Sequence, residues 1–349
     1  MLNIKYEEIS KCRPGQVVGK NIYNMRGVLL VSKNVVLNDY VLGRLTDLGV
    51  TSVPVIVDHF LADGPAEETT QEKVFKSYQK DMEEYKEILN NLASGKKLDY
   101  EQVNALTTSI YQKINHNHYL VDCLNKLKEK DQYTFTHSIN VALYSMLIAK
   151  WLELSEKQIT GVIQAGVLHD IGKTKIKPEI LNKKGPLLPE EFEQIKQHPI
   201  YSYQIIKDIP QISKKTLAGV IMHHERENGT GYPLGVSGKH IPLYAKTIAV
   251  ADVYDALTSE RVYKKRVTPF ETFREFEKIG YGEFDVKIML TFLANIANFY
   301  IGSKVKMNTG EIGEIVFVPP YSISKPIVSC GGKYIDLAKD PSYAIEEMI

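Results

Sequence analysis

The sequence predicts a mainly α-helical protein with a small α/β unit near its start and a small β-rich segment near its end. From Tyr133 to Phe299, apolar residues recur almost throughout at the three- and four-residue intervals of helices. Residues 1–60 and 301–349 instead contain short apolar runs separated by polar turn residues, a pattern typical of strands. At 349 residues the chain exceeds the usual size of a single core, so two or three domains are expected.

The first sixty residues are predicted to form a mixed module. Val28–Val31 and Val35–Leu37 are short strand candidates, and Asp39 can cap a helix that continues through Leu48. Another strand candidate runs from Val50 to Val57. We expect this module to serve packing or assembly rather than sensing.

A composition shift at Ala62–Gln71 marks a linker, and a helix with one apolar stripe follows it. We expect this stripe to pack within its own chain, with a homodimer seam as the alternative. Its members are Val74, Tyr78, Met82, Tyr85, Leu89 and Leu92.

The last fifty residues are predicted to form a small β-barrel-like tail. Its strand candidates are Lys304–Met307, Ile312–Val318, Ile327–Ser329 and Tyr334–Leu337. The chain thus divides into an α/β N-terminal module (1–61), a linker and helical region (62–130), a helical domain (131–300) and a β-rich C-terminal domain (301–349).

Composition limits the classes of partner. The formal net charge of +1 gives no general attraction to nucleic acid or to a membrane, so any anion site must be local. Cys12, Cys123 and Cys330 are widely spaced and odd in number, which argues against a disulfide framework. The sequence shows neither a signal peptide nor an uncharged apolar run of membrane-spanning length. We expect a cytoplasmic protein with no nucleic-acid polymer as partner and no membrane insertion.

The stretch His169-Asp170-Ile171-Gly172-Lys173 carries the first chemical signal. It follows an apolar helical run, so the His-Asp pair falls at the end of a helix. Such a pair offers a divalent metal one imidazole and one carboxylate, and the two carboxylate oxygens can bridge two ions. Taken alone, a buried His–Asp hydrogen bond is an equally good interpretation.

Further candidate ligands favour the metal interpretation. Seven side chains are involved, and imidazole with carboxylate suits iron, manganese, zinc, cobalt or nickel better than magnesium. Seven ligands are too many for one catalytic ion that keeps open positions, but they suit two ions that share Asp170. The candidates are His137, His169, Asp170, His198, His223, His224 and Asp252.

In their order along the chain, these motifs resemble an HD-GYP domain, the branch of the HD phosphohydrolases associated with breakdown of cyclic di-GMP. The resemblance covers roughly residues 130–300. The family usually has Asp where this chain has Asn228, but the Gly-Tyr-Pro element is whole. The motifs are His137, His169-Asp170-Ile171-Gly172-Lys173, His198-Pro199, His223-His224-Glu225, Gly231-Tyr232-Pro233 and Asp252.

The resemblance implies roles for residues beyond the ligands. Tyr232, in a glycine-rich loop, would position the nucleotide, and Arg261 and Lys264 would hold phosphate. Lys173 would stabilise charge that develops on the phosphoryl oxygens. A connecting loop and a solvated basic turn are the plainer alternatives for these two segments.

The expected function is a metal-dependent phosphodiesterase that converts cyclic di-GMP to linear pGpG, and slowly on to GMP. His137, His169 and Asp252 would hold one ion and His198, His223 and His224 the other, with Asp170 between them and a shared hydroxide as nucleophile. The expected cofactors are two divalent transition-metal ions, with iron or manganese favoured.

The count of two ions depends on one position. Some HD-GYP proteins use a Glu four residues before the first His of the motif to help hold a third metal, and this chain has Tyr133 there.

Two alternative functions stay open. One is hydrolysis of another cyclic dinucleotide or of a nucleotide monophosphate; the other is a catalytically silent cyclic-dinucleotide receptor, which has no need of seven ligands.

Overall fold

The computed structural model describes residues 4–57, 70–115, 120–121, 124, 133–183, 185–258 and 268–349. The chain forms two compact units. Unit 1 comprises Met1–Glu67, Thr268–Glu275 and Leu293–Ile349, and unit 2 comprises Glu68–Val267 and Phe276–Phe292. The expected fold class is confirmed: the chain is mainly helical, with a small α/β segment first and a β-sheet last.

The described part of unit 1 contains the strands and the α-helix Asp39–Asp47. All strand pairs are antiparallel: β1 pairs with β4, β2 with β3, and the remaining five form a sheet in the order β8-β7-β6-β5-β9. The elements are β1 Ile4–Glu8, β2 Ile22–Tyr23, β3 Leu29–Val31, α1 Asp39–Asp47, β4 Ser52–Ile56, β5 Lys304–Met307, β6 Ile312–Phe317, β7 Ile327–Cys330, β8 Lys333–Asp336 and β9 Ile345–Met348.

The first and last segments of the chain share one hydrophobic core in unit 1. Val41 and Leu45 of α1 are buried in the same cluster as Phe317 and Ile327 of the sheet. Asn38 adds a polar link, because its Nδ2 donates to the carbonyl of Val316 at 2.8 Å. The two terminal segments therefore fold together, a pairing between distant parts of the sequence that local patterns do not reveal.

Several local predictions in unit 1 need correction. Asn38, not Asp39, caps α1: its Oδ1 accepts a hydrogen bond from the Val41 amide at 2.9 Å. The expected strand Val35–Leu37 forms only an isolated bridge, from Val36 to Val17. The tail has β8 and β9 at the two edges of its sheet, and β9 was not among the predicted strands.

Unit 2 is helical. Its elements pack so closely that two helices touch through a glycine: an added Cβ on Gly166 would lie 2.8 Å from Cα of Ala142. The helices are α2 Thr70–Ala93, α3 Tyr100–Gln112, α4 Tyr133–Trp151, α5 Glu156–Leu168, α6 Pro178–Leu181, α7 Pro189–Ile195, α8 His198–Ile206, α9 Lys214–Ile221 and α10 Leu243–Thr258, followed by α11 Pro269–Glu283 and α12 Val286–Ile296, which supply residues 276–292.

Helix α2 lies inside unit 2 rather than acting as a spacer. Tyr78 and Tyr85 are fully buried, and Val74 and Leu92 are nearly so. The apolar stripe of α2 is therefore used within its own chain, as expected, and is not offered as a dimer seam. Among the described residues, we find no helix long and apolar enough to cross a membrane.

Candidate metal centre

The seven predicted ligands lie together in unit 2. They fall into two groups, within each of which the candidate ligand atoms are no more than 4.8 Å apart. Asp252 joins the first group, because its Oδ1 lies 3.1 Å from Nε2 of His137. The first group is His137, His169 and Asp170, and the second is His198, His223 and His224.

Different elements supply these side chains. His137 lies on α4 and Asp252 on α10, while His169 and Asp170 follow the last residue of α5. His198 begins α8, with Pro199 next to it in the first turn, where the missing proline N–H costs no hydrogen bond. The preceding helix α7, which begins at Pro189, ends at Ile195 and does not reach His198.

Asp170 lies between the two groups. Its Oδ2 is 3.5 Å from Nε2 of His137 and 3.3 Å from Nε2 of His169. Its Oδ1 is 3.2 Å from Nε2 of His198, in the other group. One carboxylate thus presents one oxygen to each group.

Three of the histidines are oriented in the same way by their own backbone. Nδ1 of His169, His198 and His223 lies 2.6–2.7 Å from the carbonyl oxygen of the residue three positions earlier. A carbonyl can only accept, so each Nδ1 carries the proton and donates it. When neutral, each ring therefore presents the lone pair of Nε2, the atom that binds metals.

The inward-facing atoms lack partners that would satisfy them. Nε2 of His198 and Nε2 of His223 face each other at 3.3 Å, although both nitrogens carry lone pairs in the tautomer just described. Within the described part of the chain, Nε2 of His169 and Oδ1 of Asp170 are buried without a hydrogen-bond partner. Unpaired buried acceptors are costly. A cation placed among these atoms would satisfy them, so the two groups can hold divalent metal ions.

His137 is oriented differently, by a residue that was not among the predicted ligands. Its Nδ1 lies 2.8 Å from Oδ2 of Asp255, which is fully buried on α10. Asp255 follows Asp252 by three positions on one helix, so both carboxylates face the same side. That spacing is the signal that could have identified it.

The protonation of the site follows from its charges. Burial alone would raise the pKa of Asp170, but the neighbouring His169 and Lys173 hold it well below its ordinary value. Burial and neighbouring imidazoles lower the pKa of His223 well below its ordinary value. Burial also disfavours the charged form of His137, yet its bonds to Asp252 and Asp255 outweigh that effect and raise its pKa to about 10.

Lys173 and Gly172 complete the turn after Asp170. Nζ of Lys173 lies 2.5 Å from Oδ2 of Asp170, and the lysine side chain remains 26% exposed. The amide of Gly172 donates to the Ser202 hydroxyl at 2.8 Å. A Cβ on Gly172 would lie 2.1 Å from the carbonyl oxygen of His198, so only glycine allows this approach.

The glycine-rich loop after the His pair is held by a buried carboxylate. Oε1 of Glu225 accepts a hydrogen bond from the Leu234 amide at 2.7 Å, and Oε2 accepts from the Val236 amide at 3.1 Å. Glu225 is only 2% exposed. Its charge is therefore matched by two backbone donors, which fix the far side of the loop.

The same loop places Tyr232 over the metal groups. Its ring stacks on the His224 ring, with centroids 4.6 Å apart and planes inclined by 27°. Burial, reinforced by the negative charge of Asp252, raises the pKa of Tyr232, so the phenol stays neutral. Asn228, the departure from the family pattern, accepts from the Thr230 amide at 3.0 Å, so the acceptor role at this position is kept.

Two predicted substrate-binding residues, Arg261 and Lys264, lie outside the described residues. Tyr133 begins α4, but its side chain is likewise outside the described part. His240, which is not one of the candidate ligands, is exposed, and its Nδ1 lies 3.3 Å from the carbonyl oxygen of Ser237.

Comparison with known proteins identifies a domain within the chain. A model of the HD domain family matches residues 121–288. This segment is an HD domain. The resemblance expected from the motifs is thereby confirmed, and the HD domain includes every candidate ligand.

Curated relatives match parts of this chain. Cyclic di-GMP phosphodiesterase PA4108 of Pseudomonas aeruginosa is 33% identical over 222 residues, which cover 64% of this chain and 53% of that protein. The 3'3'-cGAMP-specific phosphodiesterase 3 of Vibrio cholerae is 41% identical over 136 residues, covering 39% of this chain and 29% of that protein. The chain therefore spans about half or less of the length of these relatives.

A solved structure shares the fold. Bd1817, an HDG"Y"P protein from Bdellovibrio bacteriovorus, is 18% identical and superimposes with a TM-score of 0.54 over 83% of this chain and 98% of that one. At this identity the similarity concerns the fold alone. The similarity covers 83% of this chain, whereas the HD domain occupies only residues 121–288. It therefore extends beyond the HD domain.

Proposed function

We propose that this protein is a metal-dependent phosphodiesterase that hydrolyses cyclic di-GMP to linear pGpG. The observation that carries the proposal is Asp170, whose two oxygens face two separate histidine groups. A single ion needs no such arrangement, whereas two ions about 3.5–4 Å apart, as in two-metal hydrolysis, can share the two oxygens of one carboxylate.

The residues present fit two ions. His137, His169 and Asp252 would hold one, and a second set, His198, His223 and His224, would hold the other. When bound, such ions polarise phosphoryl oxygens and lower the pKa of a coordinated water to about 7. Histidine-rich sites favour transition metals over magnesium, and we propose iron or manganese.

Lys173 is proposed to act on the phosphate. In the structure its ammonium group is paired with Asp170, and its side chain is partly exposed to solvent. A lysine held there places a fixed positive charge where negative charge develops on the phosphoryl oxygens. Arg261 and Lys264 are proposed to bind the phosphates, as the resemblance implies.

Tyr232 is proposed to position the nucleotide. Its neutral phenol can donate a hydrogen bond, and its ring already stacks against an imidazole of the site. Nζ of Lys196 lies 5.8 Å from the centre of the same ring. Tyr232 therefore offers an aromatic surface beside the positive charge of Lys196, which suits a base attached to a phosphate.

The choice of cyclic di-GMP within the cyclic dinucleotides is the finer part of the proposal. PA4108, which matches over 64% of this chain, is named for cyclic di-GMP. The relative with 41% identity is named for 3'3'-cGAMP, but its match covers only 39% of the chain. The longer match favours cyclic di-GMP, and 3'3'-cGAMP is the competitor to be tested beside it.

We propose a cytoplasmic setting for this activity. Cys12 and Cys330 are free thiols in the structure, which fits a reducing compartment. The cyclic dinucleotide is the proposed partner, and no homodimer is proposed because the apolar stripe of α2 is buried within unit 2.

The test combines metal analysis with turnover. Purified protein is expected to contain transition metal and to convert cyclic di-GMP faster than 3'3'-cGAMP, with products separated by chromatography. Asp170→Ala should lose metal and activity together, whereas Asp208→Ala, an exposed carboxylate outside the metal groups, should keep both. Full activity in protein shown by elemental analysis to be metal-free would overturn the proposal.

A further inference from the structure

His137 belongs to a chain of hydrogen bonds that starts on helix α2. The hydroxyl of Tyr78 donates to Oδ1 of Asn140 at 2.6 Å. Nδ2 of Asn140 donates to Oδ1 of Asp255 at 2.9 Å, and the other oxygen of Asp255 accepts from Nδ1 of His137 at 2.8 Å. Three hydrogen bonds thus connect α2 to a candidate metal ligand.

The direction of every bond in this chain is fixed. A carboxylate can only accept, so Asp255 must receive one proton from Asn140 and one from His137. Once the amide group of Asn140 faces Asp255, its oxygen faces Tyr78 and requires a donor there. All four residues are at most 5% exposed, so water cannot substitute for a missing member at low cost.

This arrangement sets His137 apart from three other histidines of the site. His169, His198 and His223 present their Nδ1 protons to neutral backbone carbonyls. His137 presents its proton to a buried carboxylate side chain. A carboxylate partner makes the imidazole a more basic ligand and adds negative charge behind it. The ion held by His137 is therefore supported by a charge that the ion in the second group lacks.

Helix α2 lies before the segment that matches the HD domain family, which begins at residue 121. It also follows directly on the linker after the N-terminal module. The hydroxyl of Tyr78 is therefore a contribution to the metal groups from outside the matched HD segment.

We propose that Asp255 is a positioning residue for His137, and that Tyr78, through Asn140, makes helix α2 part of the support of the ion that His137 holds. This inference rests on the metal site of the proposed function but not on its substrate. It predicts that the two ions differ in their sensitivity to changes in these hydrogen bonds. Loss of one of the bonded side chains weakens binding of the ion at His137 and leaves binding of the ion at His198, His223 and His224 unchanged.

The test titrates Co²⁺ alone into the metal-free, full-length protein and follows its visible absorption, which reports the ligands around each ion. In Asp255→Asn the new amide cannot accept from both neighbours. We expect one of the two binding events to weaken by about 10- to 100-fold, with a changed spectrum, and the other to stay as in the wild type. A general folding defect would weaken both events.

Tyr78→Phe is the milder variant, since it removes one oxygen at the end of the hydrogen-bond series that is furthest from His137. Tyr85→Phe is its matched control, because Tyr85 is equally buried on the same helix and makes none of the three hydrogen bonds. We expect Tyr78→Phe to weaken the same event less than Asp255→Asn does, and Tyr85→Phe to leave it unchanged. This pair decides the matter if Asp255→Asn fails to fold.

The inference is overturned if folded Asp255→Asn binds both ions like the wild type, or if Tyr78→Phe and Tyr85→Phe behave alike. A wild-type protein that binds two Co²⁺ ions but hydrolyses no cyclic dinucleotide would overturn the proposed function and leave this inference standing. A wild-type protein that binds fewer than two ions would overturn both.

Discussion

The hydroxyl of Ser202 donates a hydrogen bond to the backbone carbonyl of His169 at 2.8 Å. The same oxygen accepts from the amide of Gly172, so one serine on α8 holds both sides of the turn that contains Asp170. His198 begins that helix. The contact between the turn and α8 therefore sets the separation of the two histidine groups.

Gly172→Ala should disrupt this contact. The added methyl group would lie 2.1 Å from the His198 carbonyl oxygen and 2.4 Å from the Ser202 amide nitrogen, and backbone cannot rotate away as a side chain can. We expect a loss of about 1–3 kcal/mol in the free energy of unfolding, together with weaker metal binding. Thermal unfolding and elemental analysis measure the two effects.

Gly282→Ala is the control for that substitution. Gly282 lies within α11, and an added Cβ would meet no atom within 4 Å. Alanine there should be neutral or slightly stabilising, because glycine is the poorer helix former. Equal unfolding temperatures for the two variants would contradict the proposed contact.

Lys173→Ala should separate chemistry from metal binding. The ammonium group pairs with Asp170 but cannot itself coordinate an ion while charged. We expect kcat to fall on the order of a hundredfold or more while metal content stays near that of the wild type. Lys175→Ala, on the same short helical turn and exposed, should leave both values unchanged. Loss of metal in Lys173→Ala would remove the support for a role in the chemical step.

Glu225→Gln should loosen the glycine-rich loop that carries Tyr232. The carboxylate accepts from two backbone amides, whereas a glutamine has only one accepting oxygen and would turn an NH₂ group towards the other donor. We expect a higher KM for cyclic di-GMP, an unchanged metal content and faster hydrogen exchange at residues 226–236. Glu190→Gln, at an exposed position, serves as the control. An unchanged KM with unchanged exchange would show that the loop does not depend on this carboxylate.

The number of ions and the end product form another prediction. The position that holds a third metal in some HD-GYP proteins is Tyr133 here, and a neutral tyrosine is a poor ligand. We therefore expect two metal peaks in anomalous diffraction. We also expect pGpG to accumulate before slow conversion to GMP, because a third ion would help to hold the more anionic linear product. Three peaks, or prompt and complete conversion to GMP in a time course, would refute this prediction.

The metal groups could be predicted from the sequence because each ligand stands at the end of, or within, a strongly periodic helix. The seven side chains are also all histidine or aspartate, two residue types that bind transition-metal ions. Their partners could not be predicted in the same way. Asn140 lies among buried apolar residues of α4 and Tyr78 within an apolar stripe, so each has the pattern of an ordinary core position. Only the packing of α2 against α4 shows that they meet.

In unit 1 prediction from the sequence failed for a different reason. Whether Val41 packs against Phe317 depends on a contact between residues nearly three hundred positions apart, and periodicity within either segment carries no information about it. Strand β9 escaped prediction because Glu346 and Glu347 interrupt its apolar character, although its backbone pairs with β5. Pairing in the sheet, rather than side-chain burial, defines that strand.

The orientation of the histidines has a consequence for how the metal preference of this site could change in evolution or in the laboratory. A carbonyl of the main chain is present whatever residue occupies the position, so no point mutation at Ile195 or Val220 can remove the acceptor for His198 or His223. The acceptor for His137 is a side chain, which a single nucleotide change can replace. Asp255 is accordingly the position at which variation could retune one ion of the pair while the histidine ligands themselves stay the same.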